Sequence, residues 1–163
     1  MFGDILLKCE KEDAGRVSKR ECMGREHRFE LIEHTADVGV IGRGSTMAEA
    51  FENAAYGMFS VVADIGKYEP TKQQSVTVAG TDDISLLERF LSSLLVIFDG
   101  DCLLPLDFEI TEISMGHLTC WISTRPFGDD IEWFGPTIKA VTYHQMAVES
   151  KGDEWTAKAI FDV

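Results

Sequence analysis

The chain has 163 residues, of which 45% are hydrophobic and 26% charged, enough for one globular domain without disulfide or metal support. The formal charge is −13, from 15 Lys and Arg against 28 Asp and Glu. Residues 1–28 carry seven basic and six acidic side chains, so residues 29–163 hold a net −14, which argues against autonomous binding to nucleic acid or to an anionic membrane.

Residues 1–27 are charged, with little apolar periodicity after Leu7, and read as a poorly ordered N-terminal extension ahead of a folded domain over 28–163. No signal peptide is expected, because the apolar stretch Phe2–Leu7 is too short. The longest apolar run, near Leu86–Phe98, is interrupted by charge and falls short of the ~20 residues a bilayer needs. None of Cys9, Cys22, Cys102 and Cys120 forms a CxxC pair, so reduced thiols in a cytoplasmic protein are expected.

Phe29–Glu33 reads as a strand and Val38–Gly42 as a second one. A helix follows, opened by the T-x-x-E spacing of Thr46 and Glu49, which predicts a reciprocal capping box. Met47, Phe51, Ala54, Met58, Val62 and Ile65 form its apolar face, with Gly66 expected at the C′ position. Lys72–Val78 alternates as a strand. Asp82 or Asp83 caps a second, largely buried helix running to about Phe98, which Asp99-Gly100-Asp101 ends. Asp107–Ser114 and His117–Ser123 form a hairpin around Met115-Gly116, and residues 124–136 read as a loop. Along Lys139–Glu149 the alternation puts Val141, Tyr143, Gln145 and Ala147 on one face and Thr142, His144, Met146 and Val148 on the other. Trp155–Phe161 is the last strand. The fold class expected is α+β, a mostly antiparallel sheet packed on two helices in a single domain.

Three groups of residues could carry chemistry. Glu33, His34 and Asp37 lie in the short connection between the first two strands, where they form either a polar site or an ordinary hydrogen-bonded turn. Asp162 and the carboxylate of Val163 follow the apolar Phe161, which holds them at a strand end; if the sheet also brings Asp37 there, the three make an all-oxygen site for a hard divalent cation, and otherwise they are an ordinary solvated terminus. Lys139 enters an apolar strand of an acidic domain and either meets a carboxylate or a phosphate or is a plain surface lysine at a strand start; His144, further along the same strand, is either a ligand or a satisfied strand histidine. Phosphate-loop, dinucleotide, nucleophile-elbow, HExxH and EF-hand patterns are all missing. No catalytic residue declares itself.

Four segments together resemble the archease family: EHTADVGVIGRGSTMAEAFENAAYGMFSVV (33–62), LLERFLSSLLVIFD (86–99), KAVTYHQMAV (139–148) and WTAKAIFDV (155–163). The resemblance covers about residues 28–163. It implies a non-enzymatic accessory protein of an RNA-splicing ligase in tRNA splicing, promoting guanylylation of the ligase's own histidine and permitting multiple turnover. The family's metal-binding aspartate falls on Asp37, its terminal aspartate and last residue on Asp162 and Val163, and its motif lysine on Lys139. The implied cofactor is a divalent metal, with calcium the first expectation; the implied partner is the ligase, with no direct nucleic acid and no membrane. Two other readings remain open at this stage: a metal-dependent phosphoester hydrolase using His34 or His144 as base, and a chaperone-like or redox module using Cys102 and Cys120.

Overall fold

A computed structural model describes residues 6–8, 28–33 and 36–163. In chain order its elements are β1 (Leu6–Lys8), β2 (Phe29–Glu33), β3 (Asp37–Gly44), α1 (Met47–Ser60), a 3₁₀ turn (Ile65–Lys67), β4 (Lys72–Ala79), α2 (Asp83–Asp101), β5 (Leu103–Ser114), β6 (His117–Pro126), β7 (Ala140–Lys151) and β8 (Glu154–Asp162). The α+β class is as expected, with the strands divided between two antiparallel four-stranded sheets rather than gathered in one. Their orders are β1-β4-β6-β5 and β2-β3-β8-β7. β1 lies within the segment read as an extension and pairs with β4, Leu6 opposite Thr77.

Both helices lie between the sheets. α1 packs on β2, β3 and β8 of one sheet and on β5 of the other; α2 packs on β7 and on β4, β5 and β6. Each helix therefore has apolar neighbours on two sides, which explains why the stripe of α2 is so wide: Leu86, Leu87, Phe90, Leu91, Leu94 and Ile97 are all fully buried. Phe51 of α1 stacks on Phe90 of α2, with ring centroids 6.4 Å apart. The seat of α1 on β3 needs glycine at position 42, because a Cβ there would run into the main chain of Ala50 and Ala54.

The helix ends differ from the sequence reading in local ways. Thr46 caps α1, its hydroxyl accepting from the Glu49 amide at 3.1 Å, but the Glu49 carboxylate accepts from the amide and hydroxyl of Ser45 instead of closing the box on Thr46. α1 stops at Ser60 with Val61 as its cap, so Gly66 is not a C′ residue and lies in the 3₁₀ turn with Ile65. α2 carries a true capping box between Asp82 and Ser85 and continues through Gly100 to Asp101, ending only where Cys102 adopts a left-handed conformation (φ 53°). β6 likewise extends into the predicted loop as far as Pro126.

β7 corrects the expected faces. Its register with β8 passes from Thr142↔Ile160 to Ala147↔Lys158, so five steps along β7 match two along β8. The three extra residues form an excursion in which Gln145 has φ 52°. An odd insertion reverses side-chain parity. Val141 and Val148 consequently both pack on the core, although strict alternation would separate them, and Met146 is buried with them.

Candidate functional site: a carboxylate pair at one end of the fold

Chain direction collects one set of connections at a single end. β3 runs away from Asp37 and α1 returns toward it; α2 ends and β5 begins there, β6 finishes there, and β7 begins where β8 finishes. The end of β2 at Glu33, the start of β3 at Asp37, the C-terminal ends of both helices, residues 127–139 and Val163 thus share this end.

Asp37 lies directly opposite Asp162 in the β3–β8 register, and Ala140 lies opposite Asp162 in the β8–β7 register. Directly opposed residues of antiparallel strands project to the same face with Cβ atoms about 5 Å apart. Phe161 is fully buried and anchors the end of β8, so Asp162 projects to the other face, away from the helices. Asp37 is half-buried, Asp162 exposed, and Val163 partly buried against the core. The Lys139 amide donates to the Asp162 carbonyl at 2.7 Å, which fixes the start of β7 beside the pair.

Of the remaining predicted site residues, Glu33 and His144 separate from the pair. Glu33 is opposite Val38 and so lies on the sheet face opposite to Asp37. His144 is exposed within the β7 excursion. The Lys139 side chain is exposed and, among the described residues, makes no ion pair. His34 lies outside the described residues.

In chemistry, the donors fit a hard cation: two carboxylates in direct register, with the oxygens of Val163 next along the chain. Opposed like charges are unfavourable, and a divalent ion would turn that repulsion into ligation. Among the described residues, no three or more His, Cys, Asp and Glu side chains converge as a metal-ligand group. A cation held here would therefore depend on main-chain oxygens and water as well as the two aspartates.

Elsewhere on the same sheet, Arg43 is committed to structure. Its guanidinium donates to Glu154 at 3.0 Å and Glu30 at 3.2 Å, tying β2, β3 and β8 together; the hydrogen bond to Glu30, followed by that to Glu154, raises its pKa. That leaves the GRGS segment without a free cation for phosphate. The two described cysteines are also poorly placed as a redox pair. Cys120 is opposite Ile110, whereas Cys102 precedes Leu103, which is opposite Pro126, roughly 20 Å along the strands. Burial pushes the Cys120 thiol well above its ordinary pKa.

Sequence reasoning passed over the loop after β6. Phe127 and Trp133 have centroids 5.0 Å apart and both pack on Phe98 of α2. The available signal was three aromatics, Phe127, Trp133 and Phe134, within eight residues of an otherwise acidic, glycine-containing loop. No helix among the described residues is long and apolar enough to cross a membrane.

Comparison with known proteins gives a consistent result. The model of the archease protein family matches residues 29–163. Protein archease of Pyrococcus abyssi is 38% identical over 141 residues, covering 83% of this chain and 99% of that protein. Protein archease of Sulfurisphaera tokodaii is 36% identical over 143 residues, with the same coverage of each. The solution structure of Methanobacterium thermoautotrophicum protein 1598 superposes with a TM-score of 0.73 at 32% identity, covering 84% of this chain and 99% of that one. A crystal structure of an archease from Thermotoga maritima, described as a possible chaperone, shares the fold with a TM-score of 0.56 at 20% identity, covering 82% and 96%.

Proposed function

This chain belongs to the archease family, and we propose that it serves as the accessory protein of an RNA-splicing ligase, promoting guanylylation of the ligase's active-site histidine and so permitting repeated turnover in tRNA splicing. The chain makes no covalent bond in this reading. Its contribution is a divalent cation, calcium on oxygen-donor grounds, held by Asp37, Asp162 and the oxygens of Val163. Magnesium or manganese fits the same hard-donor set.

One observation carries the reading: Asp37 directly opposes Asp162 at a strand end that the buried Phe161 holds in place. Such a pair can take a cation without rebuilding the fold and can present it outward, because Asp162 is exposed. Lys139 immediately precedes the neighbouring strand and is positioned by its own amide, so its exposed side chain is available for a phosphate of the ligase-bound nucleotide. RNA would contact the ligase, consistent with the acidity of residues 29–163.

The test is a guanylylation assay of the cognate ligase with GTP, with and without this protein. The reading expects faster formation of the ligase–GMP adduct and loss of that stimulation in Asp37→Ala and Asp162→Ala. Absence of stimulation by the unaltered protein in magnesium, manganese and calcium would reject the function. Full stimulation by both variants would reject the site.

A further inference from the structure

The loop after β6 places three aromatic side chains where solvent reaches them. Phe127 is 38% exposed, Trp133 44% and Phe134 55%. The loop is nevertheless fixed. The Phe127 amide donates to the Cys102 carbonyl at 3.0 Å, the Phe134 amide donates to the Val62 carbonyl at 2.8 Å, and Trp133 bridges to Ala63. Ile131 between them is buried, and the Phe127 and Trp133 rings rest on Phe98. Grouped, backbone-anchored exposed aromatics supply contact area at little ordering cost, which is how interface hot spots are built.

The rim is predominantly acidic. Asp129, Asp130 and Glu132 belong to the same loop, and Asp99 follows Phe98 in α2. Two neighbouring cations are engaged by the rim itself: Arg125 donates to Asp130 at 2.8 Å, and Lys67 lies 3.4 Å from Asp64 and 3.9 Å from Glu132. An apolar centre with an acidic rim complements a basic protein surface, whose Arg and Lys side chains can stack on exposed rings and pair with the carboxylates. The loop runs directly into Lys139, so the patch and the Asp37–Asp162 pair share one end of the molecule.

We propose that the Phe127–Phe134 loop is the docking surface for the ligase, engaging a basic face of that protein while the carboxylate pair reaches its nucleotide site. The inference rests on the function proposed above. It adds where the partner is gripped and what chemistry grips it.

The experiment measures the Kd between full-length chain and purified cognate ligase by biolayer interferometry, beside the guanylylation assay on the same preparations. Phe134→Ser removes the most exposed ring, and Asp129→Lys reverses a rim charge without entering the core. Each is expected to raise Kd by about tenfold or more, as loss of a central aromatic or a complementary charge does. Wild-type Kd should rise with salt, and less steeply in Asp129→Lys. Met115→Ser, at an exposed turn at the other end, should leave Kd unchanged. An unaltered Kd in both loop variants, with a wild type that binds and stimulates, overturns the docking surface and leaves the function standing. A wild type that neither binds nor stimulates overturns the function and this inference with it. Concentration-dependent dimerisation abolished by Phe134→Ser, with ligase binding intact, would reassign the patch to a second copy of this chain and also overturn the proposal.

Discussion

Asp162→Asn should change thermal stability in opposite directions depending on whether the ion is present. Asp37 and Asp162 are direct cross-strand partners, so their Cβ atoms sit about 5 Å apart and their carboxylates can approach to a similar distance. Two unit charges at about 5 Å repel by about 0.8 kcal/mol in water. Salt near 0.15 M reduces this to about half, giving ~0.4–0.8 kcal/mol for an outward-facing pair. Without divalent ions the variant, which is the same size and lacks one charge, should melt roughly 1–3 °C above the wild type. With calcium at tenfold its Kd, linkage stabilises the wild type by about 1.4 kcal/mol, or roughly 5 °C for a domain of this length. The variant lacks a ligand and should shift little, so the order reverses. Differential scanning fluorimetry in EDTA and across calcium, magnesium and manganese series reads this directly. A variant no more stable than wild type in EDTA, together with a wild type unmoved by any of the three ions, would refute both the repulsion and the site.

Two further predictions concern the scaffold. Gly42→Ala should destabilise by about 3 kcal/mol or more in urea titrations, since the added methyl meets helix main chain that cannot repack; a glycine in an unobstructed strand would instead gain about 0.5–1 kcal/mol from the same change. Asp82→Ala should weaken the start of α2, and the deficit should narrow in acid. The amide of Ser85, and then its hydroxyl, hold the Asp82 carboxyl below its ordinary pKa. A depressed folded pKa gives stability that is present above the unfolded value near 4 and is lost as pH falls through the folded one. Urea midpoints of the two proteins at pH 7 and pH 2.5 check this, and an equal gap at both would contradict the role given to the cap.

What was legible in the sequence follows the physics of each signal. Helix periodicity survives because each stripe meets a continuous apolar surface, so Phe51, Met58, Phe90 and Leu94 could all be assigned to the core in advance. A division into two sheets could not be read, since alternation records that a strand has a buried face and not which strands share hydrogen bonds. β7 failed for a sharper reason. One excursion of three residues, its Gln145 at positive φ without any glycine or proline to mark it, carries Val148 from one face to the other.

The carboxylate pair and the aromatic loop show the complementary limits. Asp37 and Asp162 are 125 positions apart, and their opposition is a property of strand register that no local pattern encodes; residue chemistry alone could bring them together only as a condition on the sheet, which the family resemblance then strengthened. The aromatic loop is local in sequence, yet it was read as loop alone because glycine and proline outweighed its three rings. Its rigidity comes from the hydrogen bonds of Phe127 to Cys102 and of Phe134 to Val62, each reaching the C-terminal end of a different helix. Those ends coincide only once both helices are layered between the sheets. A docking surface next to the Asp37–Asp162 pair is therefore a consequence of the layering, and it makes the two proposals separable: loop substitutions should act on the strength of association, and substitutions of the pair on what the associated protein does.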